Sequence, residues 1–390
     1  MNERMRLASR PVFAALGALL LGAACDGVGG GPTELSHGRD NPDVISADAG
    51  VPGGTPGQET ALENDGGSSA IDDGTVETQD GGTPNEHESD LDAGESQGAT
   101  VDGGDDPTTG GQEELPSCPS FSSGSTTGFV LDLRVKEASG VVEGRRNPGI
   151  LWVHNDSGGS PEVFALTTAG QARGKFILDD AEARDWEDIA IGPGPDVSLN
   201  YLYIGDIGDN GTSRGSVQIY RVPEPVAGGA LTVETLGDVE RFDFQYPDGA
   251  HNAETLLVDP KTGDVYIVTK DGTGVTPVYR AAAPLQASGA TTLEHVTTLQ
   301  FESEVGNERL ATGGDISVLG DEIVVRTYRT AFLWRRAPNA TVAEALGTYP
   351  CTIPLVEEGQ GEAIGFATDG AGYYTLGEGQ AVGVHSYLRQ

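Results

Sequence analysis

Four carboxylates stand at the mouths of apolar runs in the second half of the chain, and carboxylates so placed do two kinds of chemistry. They hold hard cations, or they give and take protons. They are Glu187 in Trp186-Glu187-Asp188-Ile189-Ala190, Glu254 in Ala253-Glu254-Thr255-Leu256-Leu257, Asp315 in Gly314-Asp315-Ile316-Ser317-Val318, and Glu362 in Gly361-Glu362-Ala363-Ile364-Gly365. Each run leads through a Gly/Asp turn into a second β-rich run, so one supersecondary unit is used repeatedly. The residues that close the second runs form a matching set: His154, Asn155 and Asp156; Asp206, Asp209 and Asn210; Lys270 and Asp271; Arg326 and Tyr328; and Glu378. Up-and-down connectivity round an axis puts the loop entering each first strand and the loop leaving each second strand on one face. The two sets then converge, joined by Asp188 and Asn252 beside the acids.

Such a group cannot stay ionised unaided. At about 6 Å and an effective dielectric near 20, each pair of carboxylates repels by roughly 3 kcal/mol. A hard cation, most simply Ca²⁺, answers this with Glu187, Glu254, Asp315 and Glu362 as ligands and Asp206 beside them. Pairing with Arg326, Lys270 and His154, or proton uptake by one or two acids, answers it too, and gives a salt-bridged channel with no chemistry. His154 and His251, directly before Asn252-Ala253-Glu254, are the histidines expected at this face and so the candidate proton carriers, while His295 and His385 fall in outer strands. The loop Gly205-Asp206-Ile207-Gly208-Asp209-Asn210-Gly211 reads equally as an oxygen-rich cation loop or a hairpin turn, since Gly208 stands where an EF-hand ligand belongs. No phosphate-cradling Gly-rich loop, Cys/His zinc cluster or Gly-x-Ser-x-Gly elbow occurs, so nucleophilic serine chemistry is not indicated.

The elements that must position these residues are strands. The first unit runs Ser139-Val142, Gly149-His154, Glu162-Leu166 and Lys175-Leu178; later second strands are Leu202-Ile204, Val265-Val268 and Ile323-Val325, and third strands Val217-Arg221, Pro277-Arg280 and Ala331-Arg335. β-branched and aromatic residues fill them, and Gly and Asp mark the joints. The last unit, from Glu362, stops after three strands at Val382-Leu388, and an orphan strand, Gly128-Arg134, lies at the front of the domain. Pairing the two closes a ring and removes two edges. The expectation is an all-β β-propeller closed by an N-terminal strand. Unit starts at Ser139, Glu187, Glu254, Asp315 and Glu362 give five blades, and two long steps leave room for insertions or a sixth.

The inner-strand motifs resemble those of acidic-channel propellers, the phytase-like, gluconolactonase-like and SdiA-regulated families, whose innermost strands open with Glu-Gly-Ile-Ala or near variants. The resemblance covers most of Ser139 to Gln390; Asp188, Thr255, Ile316 and Ala363 replace the middle Gly, and Asp315 replaces Glu. It implies a channel cation that polarises a phosphate or lactone oxygen while a neighbouring His or carboxylate handles the proton, or else a non-catalytic scaffold.

Composition divides the chain. Residues 1–25 carry Arg4, Arg6 and Arg10 before an apolar stretch too short to span a membrane, the pattern of an export signal. The ending Leu21-Gly22-Ala23-Ala24-Cys25 resembles a bacterial lipobox, implying lipidation of Cys25 and an anchor in the cell envelope, with ordinary signal cleavage nearby as the alternative. Residues 26–117 hold 22 Asp or Glu against Arg39 and no Phe, Trp or Tyr, a composition expected to be a disordered acidic tether. Residues 118–390 form the propeller domain. With the signal's +2 and the tether's −21 removed from −37, −18 remains there, which argues against nucleic acid as partner. A small molecule or an envelope protein fits better, with the membrane engaged only through the lipid and the chain monomeric. With Cys25 acylated, Cys118 and Cys351 are an even pair in an oxidising compartment, either a disulfide or two buried thiols.

Overall fold

β-branched and aromatic runs punctuated by Gly, Asp and Asn turns produce strands almost throughout the domain. The computed structural model describes residues 117–228, 231–303 and 305–390; the expected export signal with Cys25, and the acidic segment up to residue 116, lie outside the described residues. The first strand is β1 (Ser125–Phe129). Blade 1 follows as β2 (Ala138–Glu143), β3 (Ile150–Asn155), β4 (Glu162–Thr167) and β5 (Ala172–Leu178). Blade 2 is β6 (Trp186–Gly192), β7 (Tyr201–Asp206) and β8 (Val217–Pro223), then, after β9 (Thr232–Leu236), β10 (Glu240–Gln245). Blade 3 is β11 (Ala253–Val258), β12 (Val265–Thr269) and β13 (Val275–Ala281), then, after β14 (Ala290–Thr292), β15 (Glu294–Gln300). Blade 4 is β16 (Ala311–Ile316), β17 (Glu322–Thr327), β18 (Ala331–Arg335) and, beyond the short helix α1 (Val342–Leu346), β19 (Cys351–Ile353). Blade 5 is β20 (Gly361–Phe366), β21 (Gly372–Gly377) and β22 (Gly383–Leu388).

These strands form five sheets, and the inner strands β2, β6, β11, β16 and β20 pack each against the next around one axis. The fold is a five-bladed β-propeller. Every inner strand is buried along its whole length, and an apolar cluster fills each gap between blades. Trp152, Trp186 and Ile204 lie between blades 1 and 2, Tyr203, Leu256 and Tyr279 between 2 and 3, and Val268, Val325 and Trp334 between 3 and 4. Leu333, Ile364 and Tyr373 join blades 4 and 5; Val141, Phe164 and Leu376 join 5 and 1. Burying each such side chain is worth about 1.5–3 kcal/mol, so the ring is held blade to blade rather than by one central core.

The outer edges carry the departures from expectation. β1 pairs antiparallel with β22 as the fourth strand of blade 5, but it ends at Phe129, and the residues expected to continue it turn away, leaving Leu131 and Leu133 exposed. The two long inter-blade steps hold insertions, with no sixth sheet among the described residues. β9, from blade 2, adds in parallel to the edge of blade 1, and β14, from blade 3, adds in parallel to the edge of blade 2. Cys118 and Cys351 form a disulfide that fastens the start of the domain to the outer strand of blade 4. No helix among the described residues is long and apolar enough to cross a membrane.

Candidate functional site

Each inner strand carries a one-residue irregularity near its start, and that bulge fixes which side chain is turned out of the ladder. The bulges fall between Ala138 and Val141, Trp186 and Asp188, Ala253 and Thr255, Ala311 and Gly313, and Gly361 and Ala363. The register positions are therefore Ser139, Glu187, Glu254, Thr312 and Glu362. Asp315, expected at this register, lies three residues further along β16. The two hydroxyls stitch blades together: Ser139 Oγ donates to the Glu187 carbonyl at 2.5 Å, and Thr312 Oγ1 donates to the carbonyls of Gly361 and Glu362 at 3.1 and 3.3 Å. Gly313 lets those strands meet, because a Cβ there would fall 2.5 Å from the Glu362 carbonyl oxygen.

The three glutamates are 3, 4 and 3% exposed in chain order. Burial raises all three, and their mutual repulsion adds to it: Glu187 stands well above its ordinary value, burial leading and Glu254, Asp156 and Asp185 following. Glu362 is pushed up to about 8 by burial and then by Glu254. Glu254 reaches about 7, burial outweighing the pull of Lys270. Asp156, Asp185 and Glu378, from the loops at the same end, are also raised, burial leading in each. Against these acids stands Lys270, whose Nζ is paired with Glu254 Oε1 and donates to Tyr328 Oη at 2.8 Å. Burial also pushes the Tyr328 phenol up to about 12.

Other residues expected here serve the scaffold. Asp188 Oδ2 accepts the amides of Leu256 and Gly314 at 2.9 and 3.2 Å, tying β6 to β11 and β16. Asp315 Oδ2 accepts the Phe366 amide of β20 at 2.9 Å; burial lifts Asp315 to about 7. Both are struts between inner strands, and Asp315 does not join the three glutamates. Asp206 is sealed in a buried ion pair with Arg214 Nη1 at 2.7 Å and accepts the amides of Arg184 and Asp185 at 3.1 and 3.2 Å. Asp209 accepts the amides of Ser213 and Arg214, each at 2.7 Å, while Asn252 Oδ1 accepts the Asp209 amide and Asn252 Nδ2 donates to Asn210. The 205–211 loop is thus held by protein donors, the hairpin-turn reading. Asn155 uses its amide to hold residues 134–137, Arg326 pairs with Glu358 at 2.7 Å, and Glu378 accepts from Gln360.

Neither histidine sits with the acids as a free base. His154 is 0% exposed, edge-on to the Trp186 ring, and burial holds it at about 4. His251 turns outward between blades 2 and 3, with Nε2 3.0 Å from Asp248 Oδ1 and 2.9 Å from Tyr279 Oη. Sequence reasoning passed over Asp185. It lies with Asp156 and Glu187 in a group whose ligand atoms are within 4.8 Å of one another, and its signal was its place beside Trp186-Glu187. Arg214, which anchors Asp206, gave no such signal. No protein-family model matches the chain, and no curated protein is significantly similar to it.

Proposed function

We propose that the chain is a cell-envelope lipoprotein whose β-propeller holds Ca²⁺ at the acidic end of its channel and there binds or hydrolyses a small phosphoester or lactone. One observation carries this reading: Glu187, Glu254 and Glu362 are buried together and all raised above their ordinary value, Glu254 to about 7 and Glu362 to about 8, with Lys270 paired to Glu254. Neutral pH leaves such a group the choice of retaining protons or taking up a hard cation, and carboxylate oxygens select Ca²⁺ over softer metals. A bound Ca²⁺ supplies polarisation of a ligand oxygen. Glu362, near 8, is the chain's own group suited to hold or release a proton there, and the sealed His154 is not. The basic export-type N-terminus and Cys25 support delivery to the envelope.

The pairing of Lys270 with Glu254 favours a second reading, a non-catalytic interaction scaffold whose channel is neutralised from within. Melting the protein in Ca²⁺ and in chelator separates the two. A cation that binds only the folded form raises stability by RT ln(1 + [L]/Kd), about 2.7 kcal/mol at a hundredfold excess over Kd. Identical melts with and without every divalent ion tried would leave the scaffold reading standing.

A further inference from the structure

We infer that the divalent-cation site lies off the axis, between blades 1 and 2, with Asp156, Asp185 and Glu187 as its ligands and Ca²⁺ as the cation it fits. This rests on the cation reading above and assigns it to particular residues. The three side chains bring ligand oxygens within 4.8 Å of one another. Two oxygens bound to one cation through bonds of about 2.4 Å, the calcium range, can be no further apart than about 4.8 Å. They come from separate elements: Asp156 follows β3, Asp185 precedes β6, and Glu187 is the bulged residue of β6.

A second observation points to a ligand. The Glu187 carboxylate is 3% exposed, yet it has no hydrogen bond or ion pair among the described residues. A buried carboxylate without a donor is costly unless something arrives to neutralise it. Glu254 gives Oε1 to Lys270 while its Oε2 is buried without a partner, and Asp206 has Arg214.

The surrounding structure also builds the site. Arg214, 1% exposed at its side chain, holds Asp206 with one nitrogen, and the same Nη1 donates to the Gly208 carbonyl at 2.7 Å. Asp206 in turn takes the amides of Arg184 and Asp185, and the Gly208 amide donates to the Asp185 carbonyl at 3.2 Å. Arg214 and Asp206 are positioning residues that fix the backbone of Asp185. Gly208 forms the wall: a Cβ there would fall 2.5 Å from Asp185 Oδ2 and closer still to Glu187 Oε1. Only glycine leaves both carboxylates free to face the same point.

The test is calorimetric Ca²⁺ titration of the full chain, with Tb³⁺ luminescence as a second probe, on wild type, Asp185→Asn, Glu187→Gln, Gly208→Ala, Glu254→Gln and Glu362→Gln. Melting in chelator establishes that each variant is folded. Asp185→Asn and Glu187→Gln are expected to weaken Ca²⁺ binding at least tenfold, and Gly208→Ala to do so with every carboxylate still present. Glu254→Gln and Glu362→Gln, which alter the neighbouring charge but no ligand, are expected to weaken it less than Asp185→Asn and Glu187→Gln do. If instead the Glu254 and Glu362 variants abolish binding while Asp185→Asn keeps it, the cation lies on the axis; the off-axis site is then wrong and the cation reading survives. If wild type binds no divalent ion, the cation reading fails and this site with it. Should Gly208→Ala not fold, the two carboxamide variants decide the matter alone.

Discussion

Glu362→Gln should stabilise the protein in chelator at neutral pH, a reversal of the usual cost of altering a buried polar residue. Glu362 is 3% exposed, its carboxylate has no hydrogen bond or ion pair among the described residues, and burial with repulsion from Glu254 holds it at about 8 against an ordinary 4.5. The unfolded chain gives up this proton from about pH 4.5, whereas the folded chain keeps it to about 8. Folding therefore takes up a proton across that window, and stability falls as pH rises through it. At about 1.4 kcal/mol per pH unit, the interval from 4.5 to 7 corresponds to roughly 3 kcal/mol. The carboxamide has nearly the same shape, loses no contact and carries no such penalty. In EDTA at pH 7, thermal unfolding of the variant should come about 6–12 °C above wild type, since a kilocalorie moves the midpoint of a domain this size by about 2–4 °C. Across pH 5 to 8 the decline should be shallower in the variant. A variant less stable than wild type at pH 7, or one with the full alkaline decline, would show that Glu362 is not held protonated in the folded chain.

Three further outcomes are expected. Arg214→Met strands Asp206 without its buried partner and should cost about 3–5 kcal/mol in denaturant unfolding; a loss below about 1 kcal/mol would show that water reaches Asp206. Reducing the Cys118–Cys351 bridge, which spans 233 residues of sequence, should lower stability by roughly 5 kcal/mol in the chain-closure model, read by unfolding with and without reductant. His154, held at about 4 against an ordinary 6.5, contributes stability that is whole above pH 6.5 and lost as pH falls toward 4. Its ring resonances should therefore show no protonation between pH 5 and 8, and a midpoint near 6.5 would place it in contact with solvent.

What could be read from the residues, and what could not, divides along a physical line. Second and third strands such as Val265–Thr269 and Val217–Pro223 declare themselves because β-branched and aromatic side chains fill the gaps between blades. Five unit starts were legible because the inner, second and third runs recur in one order, while the two long steps left room for a sixth blade. Asp315 misled because register in these strands is set by a backbone bulge, which no residue type announces. The true equivalent, Thr312, does its work with a hydroxyl to a neighbouring carbonyl, so a search for carboxylates slides past it to the next acid. Phe129, Leu131 and Leu133 alternate like a strand, yet they are 55, 72 and 70% exposed: alternation reports a possible face and cannot say whether a partner strand covers it. β9 and β14 escaped notice because their partners belong to other blades. Asp185 and Arg214 belong to a network closed through the loop after β7, and three-dimensional closure of that kind leaves no period in the sequence.

The position of the disulfide bears on how the domain withstands a pull. Strand β1 lies at the outer edge of blade 5, held by its ladder to β22, and an edge strand drawn away from one end opens pair by pair under small loads. Cys118 lies upstream of β1 and is bonded to Cys351 in blade 4. Tension arriving along the preceding chain therefore passes through sulfur into the neighbouring blade before it reaches the first hydrogen bond of β1. The bridge acts as the strain relief on a cable does: the joint behind it stays slack while the anchor takes the load, and reduction would hand that load to the bonds of residues 120–122 with the C-terminal segment and then to the edge strand β1.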